Sequence, residues 1–336
     1  MMWHNDEYYG YNVLIFSLKG AMFQVDLLYY TLIQQIINGL SLGSVYALIA
    51  VGYSLVYSIL SFSNFAHGGF LVVGAYIAYG LIVGFEVTIF SHHLFSVPAI
   101  RNIWIAGVFA LFGAGIVAIL TERLAYKPIR ERTSVTLYLL IASMGVSIVI
   151  ENIFVILVGG RFRRMPHDLL DISVYEVVGG VTVSSFDIVS FGMTAVLLIS
   201  LQLFLTKTRW GLAIRAAACD MNTAGLMGVN TARLIAIVFF VAGLLAAVSG
   251  VFIGARYIFF PQMGGITIKA FIAAVIGGLG SLPGAVVGGL FLGLAEMLTV
   301  GFISSEMRDL VVFSLLIVVL LIKPSGLFGK QISDKI

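Results

Sequence analysis

Charge is what this sequence has least of. Asp, Glu, Lys and Arg make up 10% of its 336 residues, against roughly 25% in an ordinary soluble domain. Apolar residues make up 60% and the mean hydropathy is +1.07. A water-soluble fold could not keep such a chain dispersed, so the composition places it in a membrane. The formal net charge of +3 is too small to suggest a nucleic-acid partner, and the basic residues sit in short loops, as topology signals do. Cysteine is nearly missing: the single Cys219 excludes an internal disulfide framework and any multi-cysteine metal site. The five histidines, His4, His67, His92, His93 and His167, include no pair at the i, i+4 spacing of a helical zinc site. No metal or cofactor is expected. A phosphate-binding loop is also missing, since Gly329-Lys330 is followed by Gln331 and lacks the leading glycine. No catalytic chemistry is expected of the chain itself.

What the sequence does contain is a series of apolar runs near the ~20 residues that a membrane helix needs. The clear spans are 31–58, 65–84, 103–125, 136–158, 186–206, 232–255 and 307–322, with an interrupted run at 270–300. This predicts an all-α, polytopic integral membrane protein with about eight hydrophobic helical elements. Residues 1–28 carry Asp6, Glu7, Lys19 and Asp26 and lack the pattern of a signal peptide, so they read as a peripheral extension, with Met22 a second candidate start. The membrane domain is 29–325 and the tail 326–336. Lys127, Arg130 and Arg132 lie in one loop, and Lys207, Arg209, Arg215 and Arg233 flank another at 207–231. The positive-inside rule puts both in the cytoplasm, and the tail with Lys323, Lys330 and Lys335 joins them. Residues 159–185 then face outward as an exposed docking loop, their arginines offset by Asp168, Asp171, Glu176 and Asp187. For the tail to stay inside, 270–300 must re-enter or cross twice.

Two stretches break the apolar pattern, Ser63 to Gly69 and Gly277 to Gly284. Glycine inside a soluble helix costs about 1 kcal/mol relative to alanine, whereas a membrane helix is broken where it borders a cavity or buried protein. Asn64 is a good N-cap for the helix that follows, and Ser281 before Pro283 repeats that logic. Two capped starts, one per half, resemble the discontinuous helices of inverted-repeat transporters, whose N-terminal dipoles face an anionic group such as a carboxylate. The candidate path residues are therefore Asn64, His67, Gly68, Gly277, Gly278, Gly280, Ser281 and Pro283. Packing accounts for much of the glycine: Gly280, Gly284 and Gly288, Gly289 and Gly293, and Gly39 and Gly43 are each spaced by four, the small-xxx-small pattern of close helices. A lone histidine such as His67 is more often structural. Glu151 and Glu296 fall inside apolar spans, where an ionisable group marks a pathway or a buried partner; pairing is the favoured reading of both. The segment from Arg215 to Met227 is too alanine-rich for an irregular loop and reads as short helices outside the membrane, ending at Gly228 in a left-handed turn. Leu226 and Met227 favour a docked partner there.

Several motifs in order give a resemblance over roughly 30–330: Asn38-Gly39-Leu40-Ser41-Leu42-Gly43-Ser44-Val45-Tyr46-Ala47-Leu48, Asn64-Phe65-Ala66-His67-Gly68, Arg215-Ala216 through Gly228, and Ile276 to Ala285. The chain resembles the LivH-type permease subunit of bacterial branched-chain amino-acid ABC importers. The resemblance implies an inner-membrane permease paired with a second, LivM-like permease, two cytoplasmic ATPases and an extracytoplasmic solute-binding protein. It implies ATPase coupling through Arg215, Ala216, Asp220, Ala224, Leu226 and Gly228. One departure is Gly69, where the resemblance implies an acidic residue. Urea or short-amide import by the same machinery shares nearly all these motifs. A proton-coupled carrier using Glu151 and Glu296 is the alternative of another class, and it has no need of the 207–231 segment.

Overall fold

The computed structural model describes residues 6–89, 92–133, 135–166, 173–178 and 180–329. Helix α1 (Asp6–Leu60) runs without a break across the expected 28/29 boundary. It is followed by α2 (His67–Val83), a hairpin of β1 (Phe85–Ile89) and β2 (His92–Val97), and α3 (Ile103–Thr121). A π-helical turn, Glu122–Tyr126, leads into α4 (Lys127–Arg132), and α5 (Thr136–Val158) comes next. A second hairpin, β3 (Val174–Val178) and β4 (Val181–Ser184), precedes α6 (Ser185–Lys207), α7 (Arg209–Cys219), α8 (Met221–Leu226) and α9 (Thr231–Arg256). The chain ends with a 3₁₀ turn at Pro261–Ile266, α10 (Thr267–Gly277), α11 (Leu282–Phe302) and α12 (Arg308–Ile322). Among the described residues, six helices are long and apolar enough to cross a membrane, and His67–Val83 and Pro261–Gly277 are shorter apolar helices.

The spans expected from hydropathy agree with these helices to within a few residues except at the start of α1, which extends back from the expected 31 to Asp6, and the 270–300 run resolves into two helices joined by a turn. The two hairpins were not anticipated. Both pair antiparallel, Phe85 opposite Val97 and Val174 opposite Ser184, and the second lies in the segment expected to be an exposed docking loop. Gln34, midway along α1, binds Thr182 of β4 twice, donating to its carbonyl at 3.0 Å and accepting its N–H at 2.8 Å. That fixes the middle of α1 at the β3–β4 end of the bundle. At the opposite end, Phe62 after α1 packs edge-on against Tyr126, and Ser61 shares a cavity with Cys219 and Phe328. The two basic loops and the tail thus gather at one end, as the charge pattern requires.

The core is built by α1, α2, α3, α9, α10 and α11, and one seam of it joins α1, α10 and α11. The glycine pairs picked out by spacing are the two sides of it. A β-carbon on Gly289 would stand 2.5 Å from Cα of Ala47, and one on Gly293 would stand 2.3 Å from Cα of Gly43. One on Gly288 would meet the Ala273 carbonyl oxygen at 2.1 Å. Backbone therefore lies on backbone, the close approach that small residues permit in membranes.

Near the hairpin end of this seam, buried Glu296 accepts from Tyr46 Oη at 2.9 Å and Lys269 Nζ at 3.0 Å, with Arg308 Nε at 3.2 Å. Lys269 also reaches Asp309 at 2.7 Å. This is the paired reading of Glu296, joining α1, α10, α11 and α12. Removing one member of a buried ion pair commonly costs about 3–5 kcal/mol because its partner is left uncompensated. Glu296→Ala is therefore expected to lower the thermal midpoint of the detergent-solubilised protein clearly; an unchanged midpoint would mean that the network contributes nothing net. A second tie, Asp187 to Arg256 Nη1 at 2.5 Å and to Ser41 Oγ at 2.6 Å, joins α6, α9 and α1.

Candidate translocation site and coupling segment

The first break spans 61–66. Asn64 does not sit at the N-cap position of α2, which is Ala66 with no side-chain cap. Its Oδ1 instead accepts the Ala66 N–H at 3.2 Å and the Tyr126 hydroxyl at 2.7 Å, so it shapes the turn that leads into the helix and ties it to the π-helical turn. His67 is 1% exposed, and neither ring nitrogen has a hydrogen-bond partner among the described residues. Its ring lies 4.9 Å from that of Tyr53, in a recess that exists because Gly52 has no side chain: a β-carbon there would stand 2.5 Å from His67 Cε1.

The partner of this break was missed in the sequence. It is the segment between α9 and α10, where Pro261–Ile266 forms a 3₁₀ turn. A β-carbon on Gly68 would stand 2.8 Å from the Gly264 carbonyl oxygen, and Thr267 Oγ1 accepts from Tyr53 Oη at 3.3 Å. The starts of α2 and α10 thus lie side by side in the interior and the two short helices run apart. The far end of α2 reaches Phe259, whose ring lies 5.0 Å from that of Tyr79, while α10 ends beside Phe328 at the basic end. Opposed short helices beginning at one point fit the inverted-repeat expectation, with α10 in place of the expected α11. Pro261-Gln262-Met263-Gly264-Gly265 was the available signal. Glu151 of α5 completes the junction, its Oε1 2.5 Å from where a Gly264 β-carbon would be. Gly69 lies against Ile150, the neighbour of Glu151. Among the described residues, no group of three His, Cys, Asp or Glu side chains is placed to hold a metal.

The second expected break lies elsewhere. Ser281 does cap α11, accepting the Gly284 N–H at 3.2 Å, with Pro283 in the first turn. Gly278 and Gly280 take φ of +106° and +83°, the region that favours glycine. Gly277 packs on Gly284, where a β-carbon would stand 2.0 Å from the carbonyl oxygen. The last carbonyls of α10 are closed by the tail, Leu327 N–H donating to Ile276 O at 2.8 Å and Phe328 N–H to Gly277 O at 2.9 Å. This turn lines a cavity of about 910 Å³ together with Tyr57, Ser61 and Cys219. Gly277, Gly278, Gly280, Ser281 and Pro283 are thus grouped with the basic end and not with Asn64, His67 and Gly68.

The 207–231 segment is two helices that begin earlier than expected. Thr208 caps α7, its Oγ1 accepting the Gly211 N–H at 3.0 Å while donating to Phe204 O at 2.6 Å. Arg215 Nη1 donates to Leu205 O. A cation thus meets the orphan carbonyls at the C-terminus of α6, where the helix dipole favours it. Asp220 separates α7 from α8. Its N–H donates to Ala216 O at 3.1 Å, while its carboxylate accepts Asn222 N–H at 2.8 Å and Thr223 N–H at 3.1 Å, and Thr223 Oγ1 donates to it at 2.6 Å. The Thr223 bonds, and then that of Asn222, hold its carboxyl below the usual carboxylate range. Ala224 is buried under the turn, accepting from Val229 N–H at 3.1 Å. Gly228 takes φ +91°, the left-handed turn read from the sequence. Leu226 and Met227 stand 89% and 82% exposed at its tip.

Sequence comparison decides the family. The family described as "Branched-chain amino acid transport system / permease component" matches residues 35–320. The chain belongs to this permease family. It is 38% identical over 315 residues to the high-affinity branched-chain amino acid transport system permease protein BraD of Pseudomonas aeruginosa, covering 91% of this chain and 99% of that one. It is 36% identical over 318 residues to LivH of Escherichia coli K12, covering 90% and 97%. The archaeal LivH of Methanocaldococcus jannaschii, described as probable, is 30% identical over 297 residues, covering 84% and 88%. Members are permease subunits of transport systems, and this permease is accordingly a multi-pass inner-membrane protein.

Proposed function

We propose that this permease imports branched-chain amino acids, leucine, isoleucine and valine, as one of two permease subunits joined to two ATP-binding cassette ATPases and served by an extracytoplasmic solute-binding protein. The observation that carries the reading is the interior junction at which α2 and α10 begin together. Two helix starts there direct partial positive charge at the carboxylate of a passing solute. Asn64, His67 and Gly68 belong to this path, and Gly277, Gly278, Gly280, Ser281 and Pro283 form its cytoplasmic mouth. Arg215, Ala216, Asp220, Ala224, Leu226 and Gly228 transmit ATPase movement to α6. ATP binding closes the ATPases, and the coupling helices switch the cavity between its two orientations.

Permease reconstituted in proteoliposomes is expected to take up radiolabelled leucine only when both ATPases, the second permease, binding protein and ATP are supplied. Uptake driven by a proton gradient without ATPases would replace the reading with a secondary carrier. ATP-driven uptake of urea or a short amide in preference to leucine would change the substrate and keep the machinery.

A further inference from the structure

Ser143, Ser147 and Glu151 follow one another at intervals of four on α5 and so share one face of it. That face meets both breaks in turn. Ser143 Oγ accepts the Phe65 N–H at 3.1 Å in the first break. The Glu151 carboxylate fills the room left by Gly264 in the second. Between them Ser147 Oγ donates to Glu151 Oε1 at 3.4 Å, the carboxylate's only polar partner among the described residues. Every ion pair found among the described residues leaves Glu151 out. The contrast with Glu296 is direct, since Glu296 has a tyrosine and two cations around it.

Glu151 stands about 22 Å along α5 from Thr136 at 1.5 Å per residue, well within the apolar length. A carboxylate at that depth cannot face hydrocarbon cheaply, and it is retained where it meets a polar cavity or a counter-ion. Yet Glu151 is only half-buried, and exposed Asn152 beside it turns its own amide back onto the Ile148 carbonyl at 2.8 Å. The protein thus positions a carboxylate at the junction of the two breaks and holds it with one neutral hydroxyl, and no cation among the described residues pairs with it.

We propose that the Ser143–Ser147–Glu151 face of α5 lines the solute path and that Glu151 receives the alkylammonium group of an amino-acid solute. This rests on the importer reading and narrows it. The carboxylate end of the solute meets the helix starts and its ammonium end meets Glu151, whereas urea or a short amide offers Glu151 no charge to pair with. Charge-assisted hydrogen bonds of this kind are strong, and they form only if the solute brings the cation.

The test uses the complete importer in proteoliposomes with leucine as the probe. Glu151→Gln is expected to lower uptake by about tenfold to a hundredfold at equal permease abundance, while Glu151→Asp restores a large part of it. Wild-type failure to carry leucine defeats the importer reading itself; wild-type uptake that Glu151→Gln leaves unchanged overturns this proposal alone. A second measurement does not depend on the variant's activity. With Cys219→Ser as background, Ser147→Cys and Glu151→Cys are expected to react with a charged, water-borne thiol reagent and to be protected by leucine with binding protein, while Ile141→Cys and Ile148→Cys do not react. Failure of both path positions to react places this face against lipid or packed protein and overturns the proposal even where the glutamine variant is inactive.

Discussion

Gly277→Ala is expected to abolish transport by preventing the α10–α11 hairpin from closing, with little folded permease recovered from the membrane. The added β-carbon would stand 2.0 Å from the Gly284 carbonyl oxygen and 2.9 Å from the Ala285 nitrogen. Both are backbone atoms at a turn, so no flexible side chain can yield. Overpacking a well-filled interior typically costs 1–3 kcal/mol and sometimes more, and here the shift would also pull Ile276 and Gly277 away from Leu327 and Phe328, stripping α10 of its terminal hydrogen bonds. Gly280→Ala is the control. Its β-carbon would find nothing nearer than Tyr57 Cδ1 at 3.7 Å, so only the φ of +83° opposes it, at about 1–2 kcal/mol. Size-exclusion profiles in detergent, read beside uptake, check both. A monodisperse, active Gly277→Ala protein would show that the turn yields more easily than its geometry suggests.

The second large effect is expected at the tip of the coupling segment. Leu226→Asp combined with Met227→Asp should remove ATPase from the purified complex and with it all solute-stimulated ATP hydrolysis. These two side chains are the most exposed apolar groups of the segment, carried on a helix whose cap and turn hold them rigidly. Apolar anchors buried at the centre of an interface are worth about 2 kcal/mol or more each, so losing both and adding two charges weakens assembly by more than a thousandfold. Co-purification with tagged ATPase reads the loss. An assembled complex with normal hydrolysis would move the docking surface away from this tip and leave α7, held by Arg215 on the end of α6, as the candidate.

Much of this architecture is written in hydropathy. The span over 136–158 coincides with α5, and the spacing of Gly39 and Gly43 against Gly289 and Gly293 identifies a helix seam, because close backbone approach leaves a periodic trace of small residues. Gly228 is legible for a similar reason: one residue type tolerates the turn. The site is less legible. Ser281 and Pro283 have the right chemistry to begin a helix, but capping reports that a helix starts and says nothing of its depth in the membrane. Which helix start faces Asn64 and His67 depends on how the chain returns from Arg256 to Thr267, a tertiary fact. Glu151 and Glu296 look alike in sequence and differ in structure because Lys269 and Arg308 come from other helices to reach only one of them. The hairpins escaped notice since strands of four to six residues between long apolar helices leave a short alternation that the helices dominate.

The glycine seam between α1 and α11 also has a mechanical meaning. Where backbone rests on backbone, there are no side-chain rotamers to absorb a displacement, and a sliding step would have to lift one helix off the other. These two helices, with α10 beside them, are therefore expected to move as one body. Freedom to move is expected in α5 and α6, whose surfaces are largely open within this chain. Those are the helices that carry the Glu151 face and, through Arg215, the coupling segment. On the proposed path and coupling, a stroke delivered at Leu226 is expected to be felt first as movement of the polar wall past a fixed junction, with the solute held between the part that turns and the part that does not.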